Sequence, residues 1–214
     1  MTETTLTENL VTESTTGTVR ARRRAGLVLA VLSAQFMTVI MLAAAMAPGY
    51  DFGASAISDL GVFPETAWLF NASLVLVGLL NVAGGYYYHR VHGKRWLLGA
   101  FVLAGLGAVV AGAVPLGTSD LHSLGALLAF LFFNVQAIGA GTQVRGAMRY
   151  ASVLAGVVGI AFLALMIVGD AGNPAVFGAI DHGGAERMIF YPAMLWLVAF
   201  GGYLLGRGET TTVA

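Results

Sequence analysis

The stretch AGLVLAVLSAQFMTVIMLAAAMA, residues 25–47, contains no charged side chain over 23 consecutive positions. A helix needs about 20 apolar residues to cross the hydrocarbon core of a bilayer, so this stretch is long enough to do so. A cleaved signal peptide is the alternative, because AAAMA (43–47) resembles a cleavage site behind a basic segment. The run is longer than the usual signal-peptide core of about 7 to 15 residues, so we predict a retained helix.

The whole chain has the composition of a membrane protein. Of its 214 residues, 57% are hydrophobic and 10% are charged, and the mean hydropathy is +0.80. An ordinary soluble domain carries about 25% charged residues. Cysteine is absent, which excludes disulfides, thiolate nucleophiles and cysteine metal sites. The formal net charge is zero, and we expect no nucleic-acid partner.

Five more apolar spans without Asp, Glu, Lys or Arg follow the first. The six predicted spans are approximately 25–47, 68–88, 96–114, 122–142, 150–168 and 188–205. They predict an all-α integral membrane protein, a bundle of six transmembrane helices in residues 25–207 with both termini on one side. Residues 1–24 are rich in Thr and Glu and end in four arginines, so we predict a disordered tail with a basic anchor, and a second short tail at 208–214.

Charge placement predicts the orientation of the bundle. In this topology ten of the eleven basic residues fall on the side of the termini, and Arg187 alone falls opposite. Seven of the eleven acidic residues fall on the side of Arg187. Since basic loops remain in the cytoplasm, we predict a multi-pass protein of the cell membrane with both termini cytoplasmic.

Five amide side chains lie within the predicted spans. An amide that faces lipid is unfavourable, so we predict that these side chains point into the bundle and bond across helices. Lining a polar cavity is the alternative role for some of them. They are Gln35, Asn71, Asn81, Asn134 and Gln136.

Candidate functional residues gather in the three loops predicted to be external. The first loop (48–67) contains AISDLGVFPE (56–65), the second (115–121) precedes a histidine, and the third (169–187) ends in DHGGAER. Loops of nearly twenty residues are long for simple connections and are often functional. The predicted external polar site consists of Ser58, Asp59, Glu65, His122, His182, Glu186 and Arg187.

Several roles are open for these residues. Asp59, His122 and His182 have the side chains of an open zinc site or of acid–base chemistry on a water. The chain contains neither HExxH nor Gly-x-Ser-x-Gly, so we predict no metal site, and no cofactor is indicated. The structural alternatives are a helix cap at Asp59, a local backbone bond from Ser58 and a pair between Glu186 and Arg187. Arg187 is also suited to hold an anionic headgroup. Two glycines separate His182 from Glu186, so a shared helical face cannot be assumed.

Four segments resemble one known family. They are ISDLG (57–61), LFNASLVLVGLL (69–80), VPLGTSDLH (114–122) and GGAERMIFYPAMLW (183–196). In this order they resemble the domain of unknown function 998 family of small polytopic membrane proteins, and the resemblance covers about 25–207. It implies a fold and a membrane location, and no activity.

A second resemblance is confined to the first long loop and one histidine. Ile57-Ser58-Asp59 with Gly61 and Pro64-Glu65 is similar to the first luminal loop of the damage-regulated autophagy modulator family, which also has six spans. His122 fits that pattern too. The family is linked to lipid remodelling and lipid distribution, which makes Ser58, Asp59, Pro64, Glu65 and His122 candidates for a lipid-related role.

These observations favour a non-catalytic membrane protein that binds or organises lipid, or a protein partner, through the external polar site. The alternative is an intramembrane lipid-modifying enzyme of hydrolase type that uses Asp59, His122 and His182. A transporter is less favoured, because the spans contain no charged residue and show no inverted repeat. Convergence of Asp59, His122 and His182 in one pocket would favour the enzyme.

Overall fold

The structure, a computed structural model, describes the backbone of residues 3–209 and the side chains of residues 15–207. This part of the chain forms six α-helices, each containing a segment long and apolar enough to cross a membrane, which makes the protein an all-helical, multi-pass membrane protein. The helices are α1 (Glu3–Met46), α2 (Ala67–His92), α3 (Arg95–Ala113), α4 (Asp120–Gly141), α5 (Ala147–Asp170) and α6 (Asp181–Glu209). Two 3₁₀ segments, Ser58–Gly61 and Pro174–Ile180, lie in the α1–α2 and α5–α6 loops.

The six helices form a closed ring. Each helix packs on the next one in the chain, α1 closes the ring on α6, and α4 also contacts α6. The connections alternate between two ends of the bundle. The end with the α1–α2, α3–α4 and α5–α6 loops is called the acidic end below, and the end with the termini and the other two loops is called the basic end.

Phenylalanine rings fill the bundle near the acidic end. The ring of Phe190 on α6 lies 5.4 Å from that of Phe36 on α1 and 5.8 Å from that of Phe133 on α4. All three side chains are buried. Edge-to-face packing of this kind adds to the stabilisation from burial alone, so these rings fix the positions of three helices around the site described below.

Four of the five amides join helices as the sequence predicts, whereas Asn71 donates to the carbonyl of Gly61 in the α1–α2 loop over 2.9 Å. Asn81 on α2 and Gln136 on α4 exchange two hydrogen bonds of 3.0 and 3.1 Å, and Ser73 donates to Gln35 Oε1 over 2.8 Å. Asn134 donates to the carbonyl of Ile189 on α6 over 3.0 Å. In an apolar bundle such bonds fix which helix faces meet.

Helices α2 and α3 touch backbone to backbone through glycine. A Cβ added at Gly105 would lie 2.6 Å from the carbonyl oxygen of Gly78. No other residue fits at this crossing without movement of a helix, which is why small residues recur along this face of α3.

Two helices begin earlier than the sequence predicts. The predicted disordered tail is described from Glu3 onward as helix continuous with the first span, because a nucleated helix extends by one hydrogen bond per added residue. Helix α6 begins at Asp181 and not near residue 188, so Glu186 and Arg187 lie in a helix and not in a loop. Most of the predicted tail at 208–214 lies outside the described residues.

Candidate functional site

The α1–α2 loop packs closely on the first turn of α6. The amide of Gly184 donates to the carbonyl of Gly53 over 3.0 Å. A Cβ added at Gly183 would lie 2.0 Å from the carbonyl oxygen of Ser55, so only glycine fits beneath the loop. From the sequence, the two glycines argued against a helix that joins His182 to Glu186. In the structure they allow the loop to approach closely, and α6 continues through them.

Glu186 is a buried carboxylate that receives this loop. It is 4% exposed, and its two oxygens accept hydrogen bonds from the backbone N–H of Ile57 and, over 3.3 Å, from the Ser58 hydroxyl. A buried carboxylate needs such partners, because an unpaired one would be strongly unfavourable away from water. Ser58 thus bonds Glu186 and not its own local backbone.

Arg187 fastens the same loop from another direction. Its Nη1 donates to the carbonyls of Ser55 and Gly183 over 3.0 and 2.7 Å, and its Nη2 donates to the Tyr50 hydroxyl. The guanidinium carbon lies 5.6 Å from the ring centre of Tyr50 and 4.9 Å from that of Phe52. Within the described residues no salt bridge joins Glu186 to Arg187, so each acts separately on the loop.

The loop itself is held by Tyr50 and Asp51. The Tyr50 hydroxyl donates to the carbonyl of Ala56 over 2.9 Å, and burial raises the pKa of Tyr50 to about 12. The Asp51 carboxylate accepts the N–H groups of Gly53 and Ala54 over 2.7 and 2.9 Å, but it is exposed to solvent. The bonds from Ala54 and Gly53 lower the pKa of Asp51 below its ordinary value.

His122 enters the site from the first turn of α4. Its Nδ1 lies 3.0 Å from the carbonyl oxygen of Ala111 and 2.8 Å from that of Val114. Both neighbours are acceptors, so Nδ1 carries the proton, and in the neutral ring Nε2 retains its lone pair. Among the described side chains no hydrogen-bond partner occupies Nε2, which leaves it as an acceptor toward the cavity that His122 lines.

Ser58, His122 and Glu186 line two adjoining cavities at the acidic end. The inner cavity, of about 40 Å³, is otherwise apolar and contains the phenylalanine rings of the bundle. The outer cavity, of about 200 Å³, lies between α4, α5 and α6. Its wall includes Leu127 and Ile167, which are 41% and 56% exposed on the outside of the bundle.

The second histidine, His182, lies at the rim of the outer cavity. Because α6 already begins at Asp181, His182 and Glu186 are one turn apart on the same face, and both line that cavity. The Nε2 atom of His182 lies 3.2 Å from Asp170 Oδ1 at the end of α5. Both side chains are partly exposed, so they form a polar rim above an apolar wall.

The other two predicted site residues stay apart from this cavity. The Asp59 carboxylate accepts the N–H of Ala56 over 2.8 Å within its own loop and does not form the predicted cap of the 3₁₀ segment, and Glu65 is exposed in the loop. Neither lines the two cavities, and Arg187 does not line them either. Asp59 therefore does not join His122 and His182 around one pocket. Residues 15–207 contain no group of three His, Asp or Glu side chains suited to a metal ion.

Four participants were missed by sequence reasoning. They are the Ile57 amide, Tyr50, Phe52 and Asp170. A backbone donor leaves no trace in composition, and an aromatic residue after an apolar run looks like a membrane anchor. Asp170 was visible as one of the scarce acidic residues at a span end, and that scarcity was the available signal.

The comparison with known families covers most of the chain. Residues 20–203 match the family described as protein of unknown function (DUF998). No curated protein and no solved structure matches the chain. The chain therefore belongs to the DUF998 family, as its motifs indicated.

Proposed function

We propose that this DUF998 protein binds a lipid at the acidic end of its bundle, between α4, α5 and α6, and holds the lipid without altering it. The observation that carries the proposal is that Ser58, His122 and Glu186 all line two cavities whose other lining residues are mainly apolar. A few convergent polar groups in an apolar pocket are the usual composition of a small-molecule site.

The size and walls of the cavities favour an amphiphile. The inner cavity of about 40 Å³ has room for little more than water molecules, so most of a ligand would lie in the outer cavity. Leu127 and Ile167 connect that cavity with the apolar outside of the bundle, where acyl chains of the bilayer would lie. Asp170 and His182 provide the polar rim for a headgroup.

The polar groups set the chemistry of the headgroup. With its lone pair facing the cavity, His122 Nε2 accepts a hydrogen bond, so a hydroxyl or amide N–H of the lipid is the complementary group. The Ser58 hydroxyl donates its hydrogen to Glu186, so its oxygen can still accept a hydrogen bond from the lipid. The resemblance of the first long loop to a family linked to lipid distribution supports the same class of ligand.

The location forms part of the proposal. We place the protein in the cell membrane with both termini in the cytoplasm, so the lipid site is at the external surface. The support is the positive-inside rule, because ten basic residues belong to the basic end and Arg187 to the acidic end.

Lipid analysis of the purified protein tests the proposal. Lipids extracted from the wild-type protein and from a cavity-filling variant are compared with the lipids of the whole membrane. Enrichment of one lipid class on the wild-type protein, absent from the variant, is the expected result. A profile that matches the bulk membrane in both proteins would remove the proposal.

Acid–base chemistry on the bound lipid is the second candidate, and the free Nε2 of His122 beside Ser58 is the observation that favours it. A water would attack an ester carbonyl, His122 would take the proton of the water, and the proton would pass to the departing alcohol. Asp59 has no part in this step because it is engaged with Ala56. The test is release of fatty acid from an ester lipid. If the wild-type protein released it and His122→Asn did not, the proposed function would be hydrolysis of the lipid and not binding alone.

A further inference from the structure

We propose a second lipid site at the basic end, where a groove between α1 and α6 binds the phosphate of an anionic phospholipid through Arg20, Arg23 and Arg24. The groove has a volume of about 500 Å³. Its lining consists of Thr16, Val19, Arg20, Arg23, Arg24, Leu27 and Leu205. This site is independent of the cavity at the acidic end.

The helical repeat places the three arginines on one face of α1. Positions 20, 23, 24 and 27 follow the i, i+3, i+4, i+7 spacing, so Arg20, Arg23 and Arg24 lie directly above Leu27. All three arginine side chains are exposed. The guanidinium carbon of Arg24 also lies 5.7 Å from the ring centre of Tyr87 on α2, a cation–π contact that restricts this side chain.

The charge of the groove is uncompensated among the described side chains. No carboxylate lines it, and arginine is the residue best suited to bind a phosphate through two parallel hydrogen bonds. Arg22 has a different partner, because its Nη1 lies 3.5 Å from the carbonyl oxygen of Arg207 on α6. Arg22 therefore connects the two helices that form the groove, and the other three arginines face outward.

The apolar part of the groove favours a lipid over a free phosphate. Below the arginines, the same face of α1 continues with Leu27 and Val31, which are 56% and 47% exposed. Leu205 forms the opposite wall on α6. An exposed apolar surface thus leads from the arginines toward the hydrocarbon core. When the arginines hold the phosphate of a lipid, its acyl chain fits along this surface.

The test is lipid retention by the full-length protein in native mass spectrometry, with phosphatidylglycerol and phosphatidylcholine offered in equal amounts. The wild-type protein should retain the anionic lipid preferentially. Arg20→Gln/Arg23→Gln should weaken phosphatidylglycerol binding roughly thirty-fold, since each basic residue near an anionic surface contributes about five-fold. Raised salt should weaken wild-type binding as well.

The matched control is Arg145→Gln/Arg149→Gln, which removes two exposed charges at the same end but outside the groove. Its phosphatidylglycerol binding should stay within about two-fold of the wild-type value. An equal loss in both double variants would overturn the proposal, because the effect would then be general surface charge. Displacement of the lipid by millimolar inorganic phosphate, to which the wild-type groove should be insensitive, would also overturn it.

Discussion

The Ser58 hydroxyl lies 3.3 Å from a carboxylate oxygen of Glu186, although 128 positions of sequence separate the two residues. The Ile57 amide donates to the other carboxylate oxygen. One buried carboxylate of α6 therefore holds the 3₁₀ segment of the α1–α2 loop over the top of the bundle.

Replacing Glu186 by Gln should destabilise the protein by about 1 to 3 kcal/mol, because the amide nitrogen cannot accept the bond of the oxygen it replaces and a buried donor loses its partner. Thermal unfolding in detergent measures the effect. Glu65→Gln is the control, since Glu65 is exposed and should stay within about 0.5 kcal/mol of the wild type. Equal unfolding temperatures for Glu186→Gln and Glu65→Gln would contradict this account of the site.

Replacing Arg187 by Lys should loosen the α1–α2 loop although the charge is kept. A single ammonium group cannot reproduce two donors aimed at different partners and a planar group beside two rings. The readout is the thiol-labelling rate of Ala54→Cys, an exposed position in the loop, which should rise several-fold. A rate that is unchanged by Arg187→Lys would show that charge alone fastens the loop.

Replacing Ala126 by Phe should abolish the enrichment of a lipid on the purified protein. Ala126 lines both cavities together with Ser58 and His122, so the added ring would occupy cavity space that a ligand needs. Lipid extraction followed by mass spectrometry measures the loss. Val157→Phe adds a ring on the exposed face of α5 and should leave the bound lipid in place. If both variants retained the lipid equally, its site would have to lie elsewhere.

Cysteine labelling tests the orientation. A cysteine at Ala54 or Asn173 belongs to the acidic end, and one at Ala147 belongs to the basic end. In intact cells an impermeant thiol reagent should modify the first two and leave the third unmodified until the cells are opened. The chain has no native cysteine, so each signal comes from one position. The reverse pattern would invert the proposed orientation.

The loop should loosen in acid. Because the folded-state pKa of Asp51 is lowered, its contribution is present above the unfolded value near 3.8 and is lost as pH falls through the lower folded value. Asp51→Asn removes the titrating group. The labelling rate of Ala54→Cys with and without Asp51→Asn should differ at pH 5 and converge once the pH is below the lowered folded-state pKa of Asp51, where both side chains are uncharged. If the difference persisted in acid, it would arise from the shape of the substituted side chain and not from the charge of Asp51.

The sequence predicted the six helices, because absence of charge over about 20 residues is a strong signal of a membrane span. The same rule misplaced the start of α6. This rule treats Glu186 and Arg187 as loop residues, but in the structure each charged group bonds the backbone of a distant loop. Partners this far apart cannot be read from local composition.

The site was predicted in part. Sequence reasoning selected Ser58, His122, His182 and Glu186, and the structure brings all four to the outer cavity. It also selected Asp59, Glu65 and Arg187, which do not line that cavity. Residue type and loop position do not distinguish a carboxylate that bonds only its own loop from one that joins a helix to a distant loop. That distinction depends on which oxygen meets which N–H in three dimensions.

The contact between the α1–α2 loop and α6 also bears on how the protein is made. The loop is synthesised early, whereas Glu186 and Arg187 arrive with α6, so the bonds that join the loop to α6 form only after the other five helices have been made. During that interval the Ile57 amide lacks its native acceptor, and a last helix that inserts away from the others places a carboxylate and a guanidinium near lipid. The bonds between this loop and α6 thus distinguish a bundle that includes its sixth helix from one that lacks it.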